Sequence, residues 1–282
     1  MWRLGKPALD SALQDIDKII RASGNRLDDT IKPKMQYVIK LYDQNKGSIA
    51  SSVLNRFTCV EGDLIHNMYG SKTYEGQELY YIREELFNGV DLCPLCGINP
   101  PSQLDHQMPK SQYKPLSLCR LNLVPTCGVC NNKKRAKPYD EFLHPYYVDF
   151  LNGIVFLIVN IHVNVLTHKF SWYYSLDCSQ FPKDSSLKTQ IEKQVEHIKL
   201  LRRLMKESHR FVADTLACTN FKSKAALKDY LSNRYNYCLT MYGRNDWRTV
   251  ILYGLYISDK IGVEEVNWYI GRIKPVNGGF NI

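Results

Sequence analysis

The chain has 282 residues, 44% hydrophobic and 23% charged, which suffices for one large or two small packed domains and excludes a disordered polypeptide. Its formal charge of +9 and pI near 9.0 favour a polyanionic partner. The longest apolar run, Ile154 to Val165, is too short for a membrane span, and the charged start lacks a signal core, so a cytoplasmic, reducing location is expected. Residues 8–24 place Leu9, Leu13, Ile16, Ile19 and Ile20 at helical spacing and close at Gly24. A second helix is predicted from Asp28 to Asn45, with Ile31, Met35, Val38, Ile39 and Leu41 as its stripe. Residues 49–69 and 76–88 read as further helices, so 1–90 form a helical region in which Tyr74, Tyr80, Tyr81 and Phe87 are expected to pack.

A second region spans 91–147. Ser102 to His106 suits a strand, Pro109 and Pro115 demand a loop, and Leu121 to Pro125 suits the returning strand. A helix is predicted from Asn131 to Lys137, and Tyr139 to Leu143 should continue helically to His144, a residue expected to close the module. The third region, 148–282, opens with a hairpin: Gly153–Leu166 pairs with Lys169–Asp177 around Thr167-His168. One long helix or a broken pair follows from Ser185 to Thr219. Helices at Lys224–Tyr242, Asp246–Ser258 and Gly262–Arg272 precede a Gly-rich end at Asn277-Gly278-Gly279.

Two Cys-x-x-Cys knuckles, Cys93/Cys96 and Cys127/Cys130, supply the four thiolates of a tetrahedral zinc site. The interval between them holds Asp105-His106 and Asn122, and Asn131 stands directly behind the last cysteine; these polar groups suit a second metal and a base. Cys59, Cys119, Cys178, Cys218 and Cys238 are expected to be buried small apolar residues. From His106 to Tyr139 there are seven Lys/Arg and no Asp or Glu, so this stretch should meet phosphate.

Three phrases, Asp105-His106-Gln107-Met108-Pro109, Asn122-Leu123 and Cys127-Gly128-Val129-Cys130-Asn131-Asn132-Lys133-Lys134, together resemble the zinc-stapled HNH (ββα-metal, His-Me finger) nucleases, with Asn131 in place of the final His. The resemblance covers the central region only. It implies an α+β fold, a mainly helical chain around a small zinc-stapled ββα-metal core, and a metal-dependent endonuclease hydrolysing phosphodiester bonds of DNA or RNA. His106, with an ordinary pKa near 6.5, would be the general base. Asp105 and Asn131 would offer oxygen ligands to Mg²⁺ or Mn²⁺, with Asn132 and Asn122 competing for Asn131's part. Asn122 would orient the His106 loop, and Lys134, Lys133 and Lys110 would hold phosphate.

The phrasing around these motifs, with His144-Pro145-Tyr146-Tyr147 after them, resembles HNH effectors of prokaryotic anti-phage defence, closest to the Septu type, in which the nuclease works beside an ATPase. This chain has no Walker-type loop, so that ATPase would be a separate subunit. One of the two helical arms would dock it; their stripes carry Ile16, Ile19 and Leu41 early and Ile198, Leu201, Leu252 and Tyr256 late, and some of that surface must pack internally. The competing reading is a zinc-stapled nucleic-acid-binding module without catalysis.

Overall fold

In the computed structural model, which describes residues 3–135, 137–148, 153–218 and 220–273, the apolar stripes become helices. Helix α1 (Leu9–Ala22) buries Ala12, Ile16 and Ile19, and α2 (Ile31–Gln44) buries Ile31, Met35, Val38, Ile39 and Tyr42. The helix expected over 49–69 is a 3-10 turn, Ser51–Arg56, followed by α3 (Cys59–Lys72). The break has a local cause. Thr58 caps α3 by accepting from the Glu61 amide at 3.2 Å, while the Glu61 carboxylate accepts from the Thr58 amide at 2.6 Å. Helix α4 (Tyr80–Phe87) completes this set.

The cysteine module follows. Strand β1 (Gln103–His106) pairs antiparallel with β2 (Leu123–Thr126), with His106 opposite Leu123, and α5 (Gly128–Lys134) follows at once. The returning strand starts two residues later than expected because Arg120–Asn122 is a 3-10 turn. Helix α5 starts before Asn131 and stops at Arg135, whose φ of 45° leaves the helical region. Tyr139–Glu141 is a single 3-10 turn rather than a continued helix. The long segment after Ser185 breaks into α6 (Ser186–His197) and α7 (Leu200–Ala217), with Lys199 left-handed between them.

By its contacts the chain divides into two compact units, Met1–Asn152 with Ser186–Ile198, and Gly153–Ser185 with Lys199–Ile282. In the first unit, residues of α1–α4 share one apolar core with Leu104, Met108, Leu116, Leu121 and Leu123. Buried Gln194 brings α6 into it: its amide accepts from the Leu143 N–H at 3.0 Å and donates to the Leu95 carbonyl, inside the first knuckle, at 3.2 Å.

In the second unit β3 (Leu157–Asn164) and β4 (Lys169–Leu176) form the expected hairpin, closed by the Asn164–Lys169 pair. Helices α8 (Lys224–Tyr242), α9 (Trp247–Ile257) and α10 (Val263–Ile273) complete it, α9 starting from the Asp246 cap. The α9 backbone lies so close to β3 that a Cβ on Gly254 would sit 2.5 Å from Val159 Cγ1.

Two expectations need correction. Cys59 and Cys218 are exposed and Cys178 is half-buried, leaving Cys119 and Cys238 as the buried singles. Cys59 is the first residue of α3 and Cys218 caps α7, and helix ends reach solvent. Of the apolar residues expected to face a partner, Ile16, Ile19, Ile198 and Leu252 are spent on internal packing. The expected Gly-rich end lies outside the described residues, among which no helix is long and apolar enough to cross a membrane.

Candidate active site and metal centre

The knuckles meet as the spacing requires. Cys93, Cys96, Cys127 and Cys130 are all buried, and their sulfurs lie within 4.8 Å of one another. The Cys96–Cys127 separation is 3.9 Å, far too long for a disulfide. Zn–S bonds of about 2.3 Å in a tetrahedron set sulfur–sulfur edges of about 3.8 Å, so this donor set could hold a structural zinc. The sulfurs share protons unequally: the hydrogen bond from Cys130 pulls the Cys127 pKa down, and the same bond pushes that of Cys130 up.

Asp105, His106 and Asn131 line one cleft of about 600 Å³, together with Lys110, Arg83, Arg135, His66, Tyr69 and Tyr74. Asp105 and His106 are neighbours on β1, where alternate side chains face opposite ways. The strand ends at His106, a bend follows, and both residues line the cleft. Lys134 fixes that bend: its ammonium donates to the carbonyls of His106 at 2.8 Å and Gln107 at 3.2 Å.

His106 Nε2 lies 3.0 Å from the Ser117 carbonyl oxygen. A carbonyl only accepts, so Nε2 carries the proton and Nδ1 is the nitrogen with a free lone pair. The ring packs edge-on to Tyr69 with centroids 4.5 Å apart. Burial pushes its pKa down to about 3, opposed next by the upward pull of the Ser117 bond and assisted by the nearby Lys110 and Lys134 charges. The imidazole is therefore neutral at neutral pH.

Asn122 is fully buried beneath this loop. Its Oδ1 accepts from the Met108 amide at 2.8 Å, and its Nδ2 donates to the carbonyls of Met108 at 3.1 Å and Leu116 at 3.2 Å. Both ends of the loop after His106 are thus pinned by one side chain. Tyr42 of α2 donates to the same Oδ1 at 3.0 Å and stands 3.0 Å from His144 Nε2, so His144 serves this buried network and not the cleft. Gly47 makes room for it: a Cβ there would come 2.2 Å from His144 Cδ2.

Lys134 does not face phosphate. Its side chain is 1% exposed and pairs with Asp105 Oδ2 at 2.6 Å. Burial raises the Asp105 pKa, and the Lys134 charge pulls it back. Lys133 is half-buried outside the cleft lining, which leaves Lys110 as the lining member of the expected lysines. The basic run is also less basic than it reads, since three of its seven cations are paired with carboxylates: Lys114 with Asp63, Arg120 with Asp15 and Glu85, and Lys134 with Asp105.

Of the three asparagines weighed as metal ligands, Asn122 is consumed by the loop and Asn132 is exposed outside the lining. Asn131 lines the cleft; its Nδ2 donates to Gln103 Oε1 at 2.6 Å, and its Oδ1 meets no donor among the described residues. Carboxylate and amide oxygens beside a neutral imidazole are a donor set that fits a hard divalent cation, with the Lys134 pair occupying one Asp105 oxygen. Sequence reading missed Arg83, His66 and Tyr69, which lie in α3 and α4 outside any motif. Tyr74, expected to pack, is instead 53% exposed at the cleft.

No protein-family model matches the chain. No solved structure matches it. Protein ea31 of Escherichia phage lambda is similar, 33% identical over 72 residues, a match that spans 23% of this chain and 24% of that protein's length.

Proposed function

We propose that this chain is a zinc-stapled, metal-dependent endonuclease of the HNH type. One observation carries the reading: Asp105, His106 and Asn131 line a single cleft in which the other charged lining residues are Lys110, Arg83 and Arg135. Asp105 is the only carboxylate among the described lining residues, and Lys134 already balances it. Such a cleft suits a phosphodiester better than a cationic or apolar ligand.

Asp105 and Asn131 would hold Mg²⁺ or Mn²⁺, which when bound supplies charge stabilisation to the phosphoryl oxygens and the leaving oxygen. His106 Nδ1 would take the proton of the attacking water, its ring fixed by the Nε2–H bond to Ser117. Asn122 would keep the loop under His106 in place. Lys110 would meet a substrate phosphate at the rim, and the zinc cluster would fix α5 against β1.

The test is incubation of purified protein on duplex DNA, single-stranded DNA and RNA with Mg²⁺ or Mn²⁺. Cleavage is expected, with His106→Ala slower by about 10²–10⁴-fold. No cutting of any substrate by the wild type would overturn the reading. The second reading, a nucleic-acid-binding module without catalysis, is favoured by the Lys134–Asp105 pair, which competes with a metal for that carboxylate. Binding without cleavage is its signature.

An effector role in anti-phage defence beside a separate ATPase is part of the same proposal and is supported by the likeness of the motif phrases. Co-purification of the native protein with an ATPase tests it. A chain recovered alone and fully active in its own cells would overturn it.

A further inference from the structure

Resting on the reading of the cleft as a nucleic-acid site, we infer that Arg83 is a backbone-phosphate contact, contributed by the N-terminal helices from outside the cysteine module. Arg83 on α4 pairs with no carboxylate among the described residues, unlike Arg120, Lys114 and Lys134. Its Nη2 donates to the Tyr69 hydroxyl at 3.3 Å, and that hydroxyl donates to the Leu104 carbonyl on β1 at 3.0 Å, so the guanidinium is tied to the strand that carries Asp105 and His106. Its Nε is buried with no acceptor. The plane is held over two rings, 4.6 Å from the Tyr74 centroid and 5.8 Å from that of Tyr69.

An unsatisfied N–H on a charged, ring-clamped guanidinium is a standing cost to the fold. With Nε closed off inside the fold, a phosphate oxygen arriving in the cleft would meet the terminal nitrogens of this half-buried, cleft-lining side chain. Arg holds phosphate through its planar fork, and stacking fixes the fork before the ligand arrives. Lys110 also reaches this ring, its ammonium 4.9 Å from the Tyr69 centroid, so one buried tyrosine is shared by two cations that line the cleft. A solvated arginine would need neither the ring clamp nor the link to β1.

The experiment measures Kd for a labelled oligonucleotide against salt, in the His106→Ala background without divalent metal so that nothing is cut. Arg83→Gln should weaken binding about tenfold or more and lower the salt slope by about 0.7–0.9, one phosphate contact. Tyr74→Phe, which keeps the ring face, should bind as the parent, and Tyr74→Leu should lose part of the Arg83 effect. Arg210→Gln removes the same charge from an exposed helix position and should change neither quantity. If Arg83→Gln folds as the parent and leaves Kd and slope unchanged, or if its loss is matched by Arg210→Gln, the contact is overturned while the nuclease reading stands. A wild type that binds but never cuts has the opposite meaning, removing the nuclease and keeping the contact.

Discussion

The two units bury different things. The first hides Asp15, Asp105, His106, Arg120, Lys134 and His144, whereas the second hides Asp246 and Glu265 and packs the rings of Phe170, Trp172, Tyr174 and Tyr269. Aromatic burial is the less costly way to make a core, because each buried charge loses several kcal/mol of hydration unless it is paired and hydrogen-bonded. The first unit accepts that cost repeatedly: Lys134 pairs with the cleft-lining Asp105, and Arg120 pairs with Asp15 two residues before Asn122. Its interior fixes directions rather than only filling volume. The second unit does so less often, holding Asp246 with Arg248 at 2.9 Å, and its closest approach is steric, the seat of Gly254 on Val159.

Stripping metal should separate the units most widely. One zinc per chain is expected by elemental analysis, and structural zinc sites contribute on the order of 10–16 kcal/mol. After chelation, hydrogen exchange should show β1, β2 and α5 losing protection while β3, β4 and α9 keep theirs. Loss of protection in both units together would break the contrast, and a metal-free wild type prepared without chelator would remove the zinc assignment.

Next in size is the buried pair. Lys134→Met leaves the Asp105 carboxylate without its partner at 7% side-chain exposure and should cost about 3–5 kcal/mol in urea unfolding. Adding Asp105→Asn should return most of that loss, since a neutral amide needs no counter-charge. A single mutant within about 1 kcal/mol of wild type would mean that the carboxylate is not held as the geometry has it.

These two tests also divide what is legible in the sequence from what is not. The four-cysteine cluster is legible because a knuckle is a local object: two thiols in one tight turn announce their chemistry without a partner. Most helices of both units are legible for the same reason, their period being written within a few residues, although the capped start of α3 at Thr58 is read through. Lys134 is misread from sequence because its fate is decided by Asp105, 29 residues away. Spacing puts it one turn from Asn131, and nothing local distinguishes a lysine aimed at solvent from one aimed inward. Tyr42 reaches Asn122 across 80 residues and Gln194 reaches Leu95 across 99, so neither the network under the loop nor the place of α6 in the first unit is a local property. Arg83 has no motif to mark it; what marks it is a cleft that exists only after α3 and α4 pack on β1.

A smaller effect comes from the second unit. Gly254→Ala drives a methyl to 2.5 Å from Val159 Cγ1 and should destabilise by about 1–3 kcal/mol through overpacking. At Gly70 on α3 an added Cβ would meet nothing within 4 Å, so Gly70→Ala should instead stabilise by about 0.5–1 kcal/mol. Thermal unfolding of the two variants should therefore move in opposite directions. A shift of the same sign in both would deny the close seat of α9 on the hairpin.

The acid response is comparable in size, and the histidines of the two units do not all pull one way. Burial, with the Lys134 charge adding to it, pushes the His144 pKa from 6.5 down to about 3; the facing groups otherwise are the neutral Tyr42, Tyr146 and Tyr147. A histidine depressed in the folded state binds its proton only on unfolding. Its contribution is therefore complete above about pH 6.5 and shrinks as pH falls toward 3. At pH 5.5, one unit below the ordinary value, the loss is about 1.4 kcal/mol for one such imidazole. In the second unit Glu265 raises the pKa of half-buried His168, a contribution present at low pH and lost as pH rises, while burial lowers that of His209, so the two oppose each other. Urea unfolding at saturating zinc, compared at pH 7.5 and 5.5, isolates the term through His144→Gln, which keeps a donor near Tyr42 but cannot titrate. The variant should lose about 1.4 kcal/mol less than wild type over that interval. An equal loss in both would place the acid response elsewhere and leave His144 exchanging protons freely in the folded chain.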